Sequence, residues 1–495
     1  MAPRLLYALL PIFIVTLLGI LFVYTRELAR VSPLPVNLSR THPQANKPST
    51  VVVDFWAKWA QIIEAAKPDV DAIEIIWNAK VKQKPKDPAG ANVTANPKDA
   101  VGERRPTPQS IGLKEKDVAS LREKQALLVG HIGFRELNEK APTLYRGRGI
   151  VTVAGGRLLP PAILSVRLLR KTNSILPVHV FMQSKEYEQE ACENILPALG
   201  AECYVIENFL REDTPFEVKT YQLKLLAMVF SSFEQVIFMD ADCIALHDPA
   251  LLMTVEPFNS TGLVLWPDYW IATEDRVFYT IAGLERYPAG LPVKSSESGQ
   301  LLMDKSKHLH TLLLATYYNI YGPGYYYPIL SQGAPGEGDK DTFLTAAVAL
   351  NEPYYQVSRE PAAVGFREIT TEEFHGKAIV QHDPHEDFAP PNPTDHSVIR
   401  PFFLHASTPK LNARQLLYSE ELVMPENGQS IRTWGSRETN IRRFGRDLEK
   451  RIWQEMVDMA CTLQKSIRDW KKSRKLCQKA KKHFSTVFGS TEAFA

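Results

Sequence analysis

One short stretch decides the fold and the chemistry of this chain: Val236-Ile237-Phe238-Met239-Asp240-Ala241-Asp242. Its four consecutive apolar residues, two of them β-branched, predict a short strand that is buried on both faces. Asp240 and Asp242 follow at the carboxyl end of that strand, which is where open α/β sheets bind their ligands. Two neighbouring carboxylates repel each other unless a cation lies between them, so the pattern predicts a metal site.

The same Asp-x-Asp spacing occurs at Asp69/Asp71, Asp240/Asp242 and Asp339/Asp341. The spacing alone is also typical of a solvated turn or a helix cap. Only the middle pair closes a predicted buried strand, whereas Asp339 follows a glycine-rich run at residues 333–338. We therefore assign the metal site to Asp240 and Asp242, with Mn²⁺ as the expected ion and Mg²⁺ as the alternative. Such hard ions leave positions free for a diphosphate, which is the chemistry of nucleotide-sugar transfer.

Strands and helices alternate around this stretch. A β-branched strand at residues 149–153 leads to Gly155, Gly156 and Arg157, where the glycines let the backbone approach a ligand, and we assign these three residues to donor binding. Further strands are predicted at residues 178–181 and 203–206, and helices at 161–171, 191–199 and 219–230. This βαβαβ order predicts an α/β fold with a mainly parallel sheet flanked by helices.

The sequence before this domain contains a predicted membrane anchor. Residues 5–25 carry no charge and are long enough to cross about 30 Å of hydrocarbon, and no convincing cleavage site follows them. The expected layout is a cytosolic tail at 1–4, a signal anchor at 5–25, a lumenal stem at 26–115 with one amphipathic helix near 54–66, a catalytic domain at 116–437 and a basic helical segment at 438–495. Glycosylation sequons at Asn37, Asn92 and Asn259 agree with a lumenal body.

Composition limits the partners and the covalent links. The net charge of +2 over 495 residues gives no pull toward nucleic acid, and 44% apolar residues support a substantial core. Five cysteines allow two disulfides and one free thiol. The pairs nearest in sequence are Cys192/Cys203 and Cys461/Cys477, but spacing does not fix the connectivity.

Asp268 is a candidate sugar-binding residue. It lies between Trp266 and Trp270, and aromatic rings beside a carboxylate suit a sugar, because the rings cover its apolar face while the acid accepts from its hydroxyls. Core packing explains the tryptophans equally well. We assign Asp268 to donor binding.

A histidine completes the predicted metal site. His405 ends a predicted apolar strand at residues 400–404, and a neutral imidazole can bind Mn²⁺ beside two carboxylates. Lys410 follows closely enough to contact a phosphate of the donor. His382 and His385 also follow a strand-like run and are the competing metal ligands.

Five motifs carry a family resemblance, and they all lie within residues 120–410. They are Gly149-Ile150-Val151 with Gly155-Gly156, Ser231-Ser232-Phe233-Glu234, Phe238-Met239-Asp240-Ala241-Asp242, Glu297-Ser298-Gly299-Gln300 and Gly338-Asp339-Lys340-Asp341-Thr342-Phe343. Together they resemble the fungal Golgi α-mannosyltransferases that build α-1,2 and α-1,3 branches on mannan and outer-chain N-glycans. The resemblance implies a GT-A fold, GDP-mannose as donor, Mn²⁺ as metal and a type II protein of the Golgi membrane.

A looser similarity to retaining enzymes of the glycogenin and bacterial galactosyltransferase kind suggests roles for further residues. In the order of that pattern, the matching positions are Lys224, Asp240/Asp242, Glu297-Ser298-Gly299, Asp339-Lys340-Asp341 and His405/Lys410. The similarity implies donor binding by Lys224 and roles in catalysis for Glu297, Asp339 and Asp341. This chain departs from the pattern, because Glu297 replaces Asn, Lys340 replaces Gln, and the spacing from His to Lys is one residue shorter.

The expected function is retaining transfer of mannose from GDP-mannose to a mannose-containing glycan on glycoproteins. The α-1,2 linkage is favoured and α-1,3 is the alternative, and a Golgi glycosyltransferase complex is a further expected partner. Two alternatives stay open at this point: an enzyme that uses a UDP-hexose, and a non-catalytic subunit that binds mannan.

Overall fold

The computed structural model describes residues 46–75, 111–131, 133–134, 136–219, 221–334, 338–389 and 399–489. The predicted anchor at residues 5–25 and the sequons at Asn37 and Asn92 lie outside these ranges. The described residues belong to one compact unit that starts at Ala45. Among them, no helix combines the length and the apolar character that crossing a bilayer requires.

A seven-stranded sheet forms the centre of the molecule. Its strands are β1 (Arg148–Val153), β2 (Val178–Met182), β3 (Ala201–Val205), β4 (Gln235–Met239), β6 (Leu263–Ile271), β7 (Lys294–Asp304) and β8 (Tyr355–Gln356), in the order β3-β2-β1-β4-β7-β6-β8. Strands β1 to β4 are parallel, β7 is antiparallel to both of its neighbours, and β6 pairs with β8 in parallel. The predicted α/β fold with a mainly parallel sheet is confirmed.

Fifteen α-helices are present among the described residues. They are α1 (Thr50–Ala65), α2 (Glu115–Val129), α3 (Leu137–Leu144), α4 (Leu159–Arg170), α5 (Gln222–Phe230), α6 (Phe258–Thr261), α7 (Val277–Ile281), α8 (Lys305–Ile320), α9 (Tyr327–Ser331), α10 (Thr342–Ala349), α11 (Pro384–Phe388), α12 (Ala413–Leu417), α13 (Arg437–Phe444), α14 (Leu448–Thr462) and α15 (Leu476–Phe488). Two large hydrophobic clusters pack between the sheet and these helices. The central strand β4 contributes fully buried Val236, Ile237 and Phe238, as its apolar run predicts.

A small antiparallel sheet joins the central one at the turn after β4. Its strands are β5 (Cys243–Ala245), β9 (Ala362–Arg367), β10 (Phe374–His382) and β11 (Pro401–His405), in the order β5-β11-β10-β9. Strand β5 begins one residue after Asp242, and Cys243 pairs with His405 on β11. The small sheet therefore brings His405 beside Asp242, although more than 160 residues separate them in sequence.

Residues 46–75, which the sequence assigns to the stem, pack instead against the body. Trp56 of α1 is fully buried, and its ring lies edge-on to Phe230 of α5, with 5.5 Å between ring centroids. The hydroxyls of Tyr317 and Tyr321 donate to the carbonyls of Ala66 and Ile63 at 3.0 and 3.2 Å. The apolar face of the predicted amphipathic helix thus completes a core that the sequence alone does not reveal.

We expect Trp56→Ala to lower the free energy of unfolding by about 3–5 kcal/mol, because removing a buried tryptophan leaves a cavity. Val51→Ala on the same helix is the control, since Val51 is 53% exposed, and we expect it to cost less than about 1 kcal/mol. Urea unfolding of both variants measures the difference. Equal stabilities would show that α1 is not part of the cooperative unit.

The carboxyl-terminal segment also packs on the body. Trp453 of α14 and Trp470 are buried, while most of the lysines and arginines around them are exposed. The two disulfides join the pairs nearest in sequence, Cys192–Cys203 and Cys461–Cys477. Cys243 is a buried free thiol.

Candidate active site

The predicted metal ligands lie in the turn that leaves the central sheet. The backbone N–H of Asp240 donates to the carbonyl of Gly299 on β7 at 2.8 Å, which fixes the turn against the neighbouring strand. The side chain of Asp240 is 31% exposed, whereas that of Asp242 is 3% exposed. The pair therefore has one carboxylate that solvent reaches and one that is buried.

His405 is the histidine that the fold brings to this pair. Its Nε2 lies 3.4 Å from Oδ1 of Asp242 and 4.0 Å from Oδ2 of Asp240. Its Nδ1 lies 2.9 Å from Oε1 of Glu297. One ligand atom each from Asp240, Asp242 and His405 lie within 4.8 Å of one another, which is close enough to bind one ion.

The competing histidines have other surroundings. His385 Nδ1 lies 2.8 Å from the carbonyl oxygen of Glu256. The main-chain carbonyl of His382 accepts a hydrogen bond from the Trp266 indole at 2.8 Å. Neither joins the cluster with Asp240 and Asp242 among the residues that the structure describes.

Lys224 connects Asp240 of the metal site to Asp339 of the motif Asp339-Lys340-Asp341, which we call the second acidic motif. Its Nζ lies 2.9 Å from Oδ2 of Asp339 and 3.4 Å from Oδ2 of Asp240, and it donates to the Ser298 carbonyl at 2.8 Å. The Ser298 hydroxyl also donates to Asp339, at 3.1 Å. Burial lowers the pKa of Lys224, but Asp240 and Asp339 outweigh burial and raise it, so the lysine carries its charge.

Lys410 contacts the buried carboxylate. Its Nζ donates to Oδ2 of Asp242, and its side chain is 31% exposed, so the ammonium group lies at the rim of the cluster. In this position Lys410 is close to any anion that binds beside Asp240 and Asp242. Its predicted contact with a donor phosphate stays a prediction.

Opposing effects set the charges of the metal-binding cluster. Burial raises the pKa of Asp240, and although Lys224 and His405 lower it, the pKa stays above its ordinary value. Burial also raises the pKa of Asp242, but His405 and Lys410 outweigh burial and lower that pKa. Burial lowers the pKa of His405, whereas Glu297 and Asp242 raise it well above the usual value of imidazole. A divalent cation beside Asp240 would favour its ionised form.

The donor set fits the ion that the sequence predicts. Two carboxylates and one imidazole are oxygen and nitrogen ligands of the kind that Mn²⁺ and Mg²⁺ accept. Asp240, Asp242 and His405 would hold the ion, and the exposed side of Asp240 leaves access for a substrate.

The predicted donor-binding residues near β1 lie at the same edge of the sheet. Gly155 and Gly156 follow the carboxyl end of β1, which pairs in parallel with β4. Gly155 has a φ of +151°, and a Cβ there would lie 2.8 Å from the Cβ of Glu186, so both the backbone conformation and the close approach favour glycine. The carbonyl of Arg157 accepts from the Asn412 amide at 3.0 Å. These contacts shape the loop, and its role in donor binding stays a prediction.

Two residues of the second acidic motif, Lys340 and Asp341, bind to the central sheet. Lys340 donates to Asp268 at 2.8 Å and to the Ser295 hydroxyl at 3.0 Å. Asp341 accepts from the backbone N–H of Ser296 at 2.7 Å. Two side chains of this motif thus bind to β6 and β7, and the third, Asp339, contacts Lys224.

Sequence reasoning gave no role to three residues that the structure places in these networks: Ser298, Gln300 and Lys340. All three lie inside the stretches 297–300 and 338–343, which contain assigned residues. Their position inside these two motifs is the signal that could have identified them.

Comparison with known proteins gives a consistent family. The mannosyltransferase family model Mannosyl_trans3 matches residues 147–294 and 284–383. Alpha-1,2-mannosyltransferase MNN21 of Candida albicans is 31% identical, over 93% of this chain and 78% of that protein. Alpha-1,2-mannosyltransferase MNN5 of Saccharomyces cerevisiae is 31% identical, over 68% of this chain and 70% of that protein. Alpha-1,2-mannosyltransferase MNN2 of the same yeast is 36% identical, over 56% and 52%.

Solved structures show weaker similarity. The glycosyltransferase GlyE of Streptococcus pneumoniae TIGR4 is 15% identical, with a TM-score of 0.29 over 43% of this chain and 45% of that one. The galactosyltransferase LgtC, solved with donor and acceptor sugar analogues, is 13% identical, with a TM-score of 0.27 over 42% and 73%. At these scores the fold assignment rests on the strand order of the chain itself.

Proposed function

Because the chain belongs to the family of fungal α-1,2-mannosyltransferases, we propose that it is a metal-dependent, retaining enzyme that moves mannose from GDP-mannose to a mannose-containing glycan. Mannosyl transfer to a glycan follows from the family. What we propose beyond this is the donor nucleotide, the α-1,2 linkage, the Mn²⁺ ion and a GT-A fold.

One observation carries the proposal: Asp240, Asp242 and His405 converge at the carboxyl end of β4, with Lys224 and Lys410 beside them. Departure of a nucleoside diphosphate builds up negative charge, and fixed positive groups stabilise that charge in the transition state. A bound divalent ion would supply most of this stabilisation by neutralising the diphosphate. A module that only binds mannan has no need for such a cluster, which argues against the non-catalytic alternative.

The lysines would perform different tasks. Lys410 lies at the rim, so it is free to turn from Asp242 toward a phosphate of the donor. Lys224 is buried and held by four oxygen atoms, so it keeps Asp240 and Asp339 in place and does not move. Lys410 would therefore stabilise the negative charge on the departing diphosphate by direct contact. Lys224 would act indirectly, by holding the carboxylates in place.

The acidic residues favour a retaining reaction without an obvious enzyme nucleophile. Glu297 and Asp339 are engaged by His405 and Lys224, and Asp341 accepts from the backbone of Ser296. With the carboxylates so engaged, the bond between the anomeric carbon and the diphosphate would break as the acceptor hydroxyl attacks from the same face. The departing diphosphate would accept the hydroxyl proton, and the α configuration would be preserved. We propose that Asp339 or Asp341 orients the sugar or the acceptor.

We also propose a type II protein of the Golgi membrane, anchored by residues 5–25. The apolar anchor sequence supports this location, as does the sequon at Asn259, whose side chain lies on the surface. Extraction of membranes with carbonate tests it, since an anchored chain stays with the lipid and a cleaved one is released.

A donor panel tests the function directly. The full-length protein, purified in detergent, is incubated with MnCl₂, an α-mannose oligosaccharide and GDP-mannose, UDP-glucose or UDP-galactose in separate reactions. Of the three donors, we expect only GDP-mannose to support turnover. EDTA should abolish this turnover and added MnCl₂ should restore it. An α-1,2-mannosidase should digest the product. Faster transfer from a UDP-hexose would contradict the proposed donor, and resistance of the product to the mannosidase would contradict the proposed linkage.

A further inference from the structure

One hydrogen bond decides which nitrogen of His405 faces the metal site. Nδ1 lies 2.9 Å from Oε1 of Glu297, while Nε2 lies 3.4 Å from Oδ1 of Asp242. A neutral imidazole carries one N–H. With that proton on Nδ1, donated to Glu297, the lone pair lies on Nε2 and is directed to Asp240 and Asp242.

Glu297 is itself held at both oxygens. The backbone N–H of Gly299 donates to Oε1 at 2.8 Å, and the Gln300 amide donates to Oε2 at 2.7 Å. The side chain is only 9% exposed. Each carboxylate oxygen thus already accepts a hydrogen bond from within the protein. Because these bonds fix the Glu297 carboxylate, its hydrogen bond to Nδ1 fixes the position of the His405 ring.

Glycine at position 299 adds a steric requirement. A Cβ at Gly299 would lie 2.4 Å from Nδ1 of His405 and 2.8 Å from Oε1 of Glu297. The imidazole therefore packs where any side chain would displace it. Hydrogen bonding and close packing act on the same ring.

We infer that Glu297 is a positioning residue, which orients His405 as a metal ligand and does not itself contact the transferred sugar. The inference deepens the proposed function and rests on it. A carboxylate that accepts the second N–H of a ligating histidine fixes the tautomer and raises the basicity of the ligand. Its loss typically lowers metal affinity by about 10- to 100-fold.

Glu297→Gln is the decisive variant. An amide oxygen in place of Oε1 can still accept from His405 and Gly299, but the side chain loses the negative charge that polarises the imidazole, and its NH₂ group replaces the oxygen that accepts from Gln300. MnCl₂ alone is titrated into the full-length protein, and free Mn²⁺ is followed by its electron paramagnetic resonance signal. We expect the dissociation constant to rise by about 10- to 100-fold, and mannosyl transfer to recover substantially when MnCl₂ is raised in proportion.

Two further variants calibrate the result. Glu352→Gln removes a matched pair outside the site, in which Oε1 of Glu352 lies 2.9 Å from Nε2 of His310, and we expect unchanged Mn²⁺ binding. His405→Ala removes the ligand itself and sets the largest loss to be expected. An affinity of Glu297→Gln between these two values supports the inference.

The outcomes separate this inference from the proposed function. A wild-type protein that binds no Mn²⁺ overturns both. A wild-type protein that binds Mn²⁺, together with a Glu297→Gln variant of unchanged affinity but lost transfer, overturns only the positioning role and makes Glu297 a residue that acts on the substrate.

A second measurement does not depend on the folding of a Glu297 variant. Histidine labelled with ¹⁵N is incorporated into the wild-type protein, and the His405 resonances are assigned by comparison with His405→Ala. In the presence of MgCl₂ we expect the proton on Nδ1 and none on Nε2. Absence of a proton on Nδ1 would overturn the inference.

Discussion

Asp242→Asn is expected to abolish mannosyl transfer while the protein stays folded. Asp242 is buried, accepts from Lys410 and lies 3.4 Å from Nε2 of His405, so it is the more buried of the two carboxylates that would bind the ion. Asparagine keeps the shape and removes the charge that binds a cation. We expect kcat/KM to fall by at least about 1000-fold, which corresponds to about 4 kcal/mol of transition-state stabilisation.

Asp71→Asn is the matched control, because Asp71 belongs to another Asp-x-Asp pair and lies exposed. Its transfer rate should equal that of the wild type. Steady-state rates with GDP-mannose and saturating MnCl₂ measure both variants, and circular dichroism checks their folding. A folded Asp242→Asn protein with full activity at ordinary Mn²⁺ concentrations would show that the metal site has been assigned to the wrong carboxylates.

Lys224→Met is expected to destabilise the protein as well as to inactivate it. Lys224 is buried between Asp240 and Asp339, and its loss leaves two carboxylates without their shared cation. Breaking a buried ion pair by removing one partner typically costs about 3–5 kcal/mol. We expect a loss of this size in the free energy of unfolding, measured in urea without added metal.

A second substitution shows whether charge is the cause. Asp339→Asn removes one of the two unpaired carboxylates, so the double variant with Lys224→Met should be more stable than Lys224→Met alone. Lys219→Met is the control, since the Lys219 side chain is 64% exposed, and it should change stability by less than about 0.5 kcal/mol. If the double variant loses the sum of the two single losses, the ion pairs do not couple these residues.

The sequence predicts those parts of the site whose contacts form between residues close together along the chain. Asp240 and Asp242 are adjacent to the strand that positions them, so a local apolar run followed by alternate carboxylates was sufficient. The parallel sheet was likewise predictable, because each βαβ unit is built from neighbouring segments. The two disulfides join the pairs nearest in sequence, 11 and 16 residues apart, but spacing alone did not fix this connectivity.

The choice among three histidines could not be made with certainty from local pattern. His382 and His405 both end a strand of the small sheet, β10 and β11, and both are buried. Pairing of β11 with β5 places His405 opposite Cys243, next to Asp242, whereas β10 lies one strand further away. Strand order in a sheet is a long-range property, so in the sequence the preference for His405 rests on the apolar strand before it, on Lys410 after it and on the order of motifs in the similar enzymes.

The sequence by itself determined the strand, the acidic pair at its end and the chemical class of ion they attract, because these follow from the types and spacing of seven consecutive residues. Only the tertiary structure decided what surrounds them. It places Glu297 behind His405 and Lys224 between two acidic motifs, and it packs α1 into the core. Each of these contacts joins segments distant along the chain, where burial and hydrogen-bond geometry, rather than local pattern, select the partner.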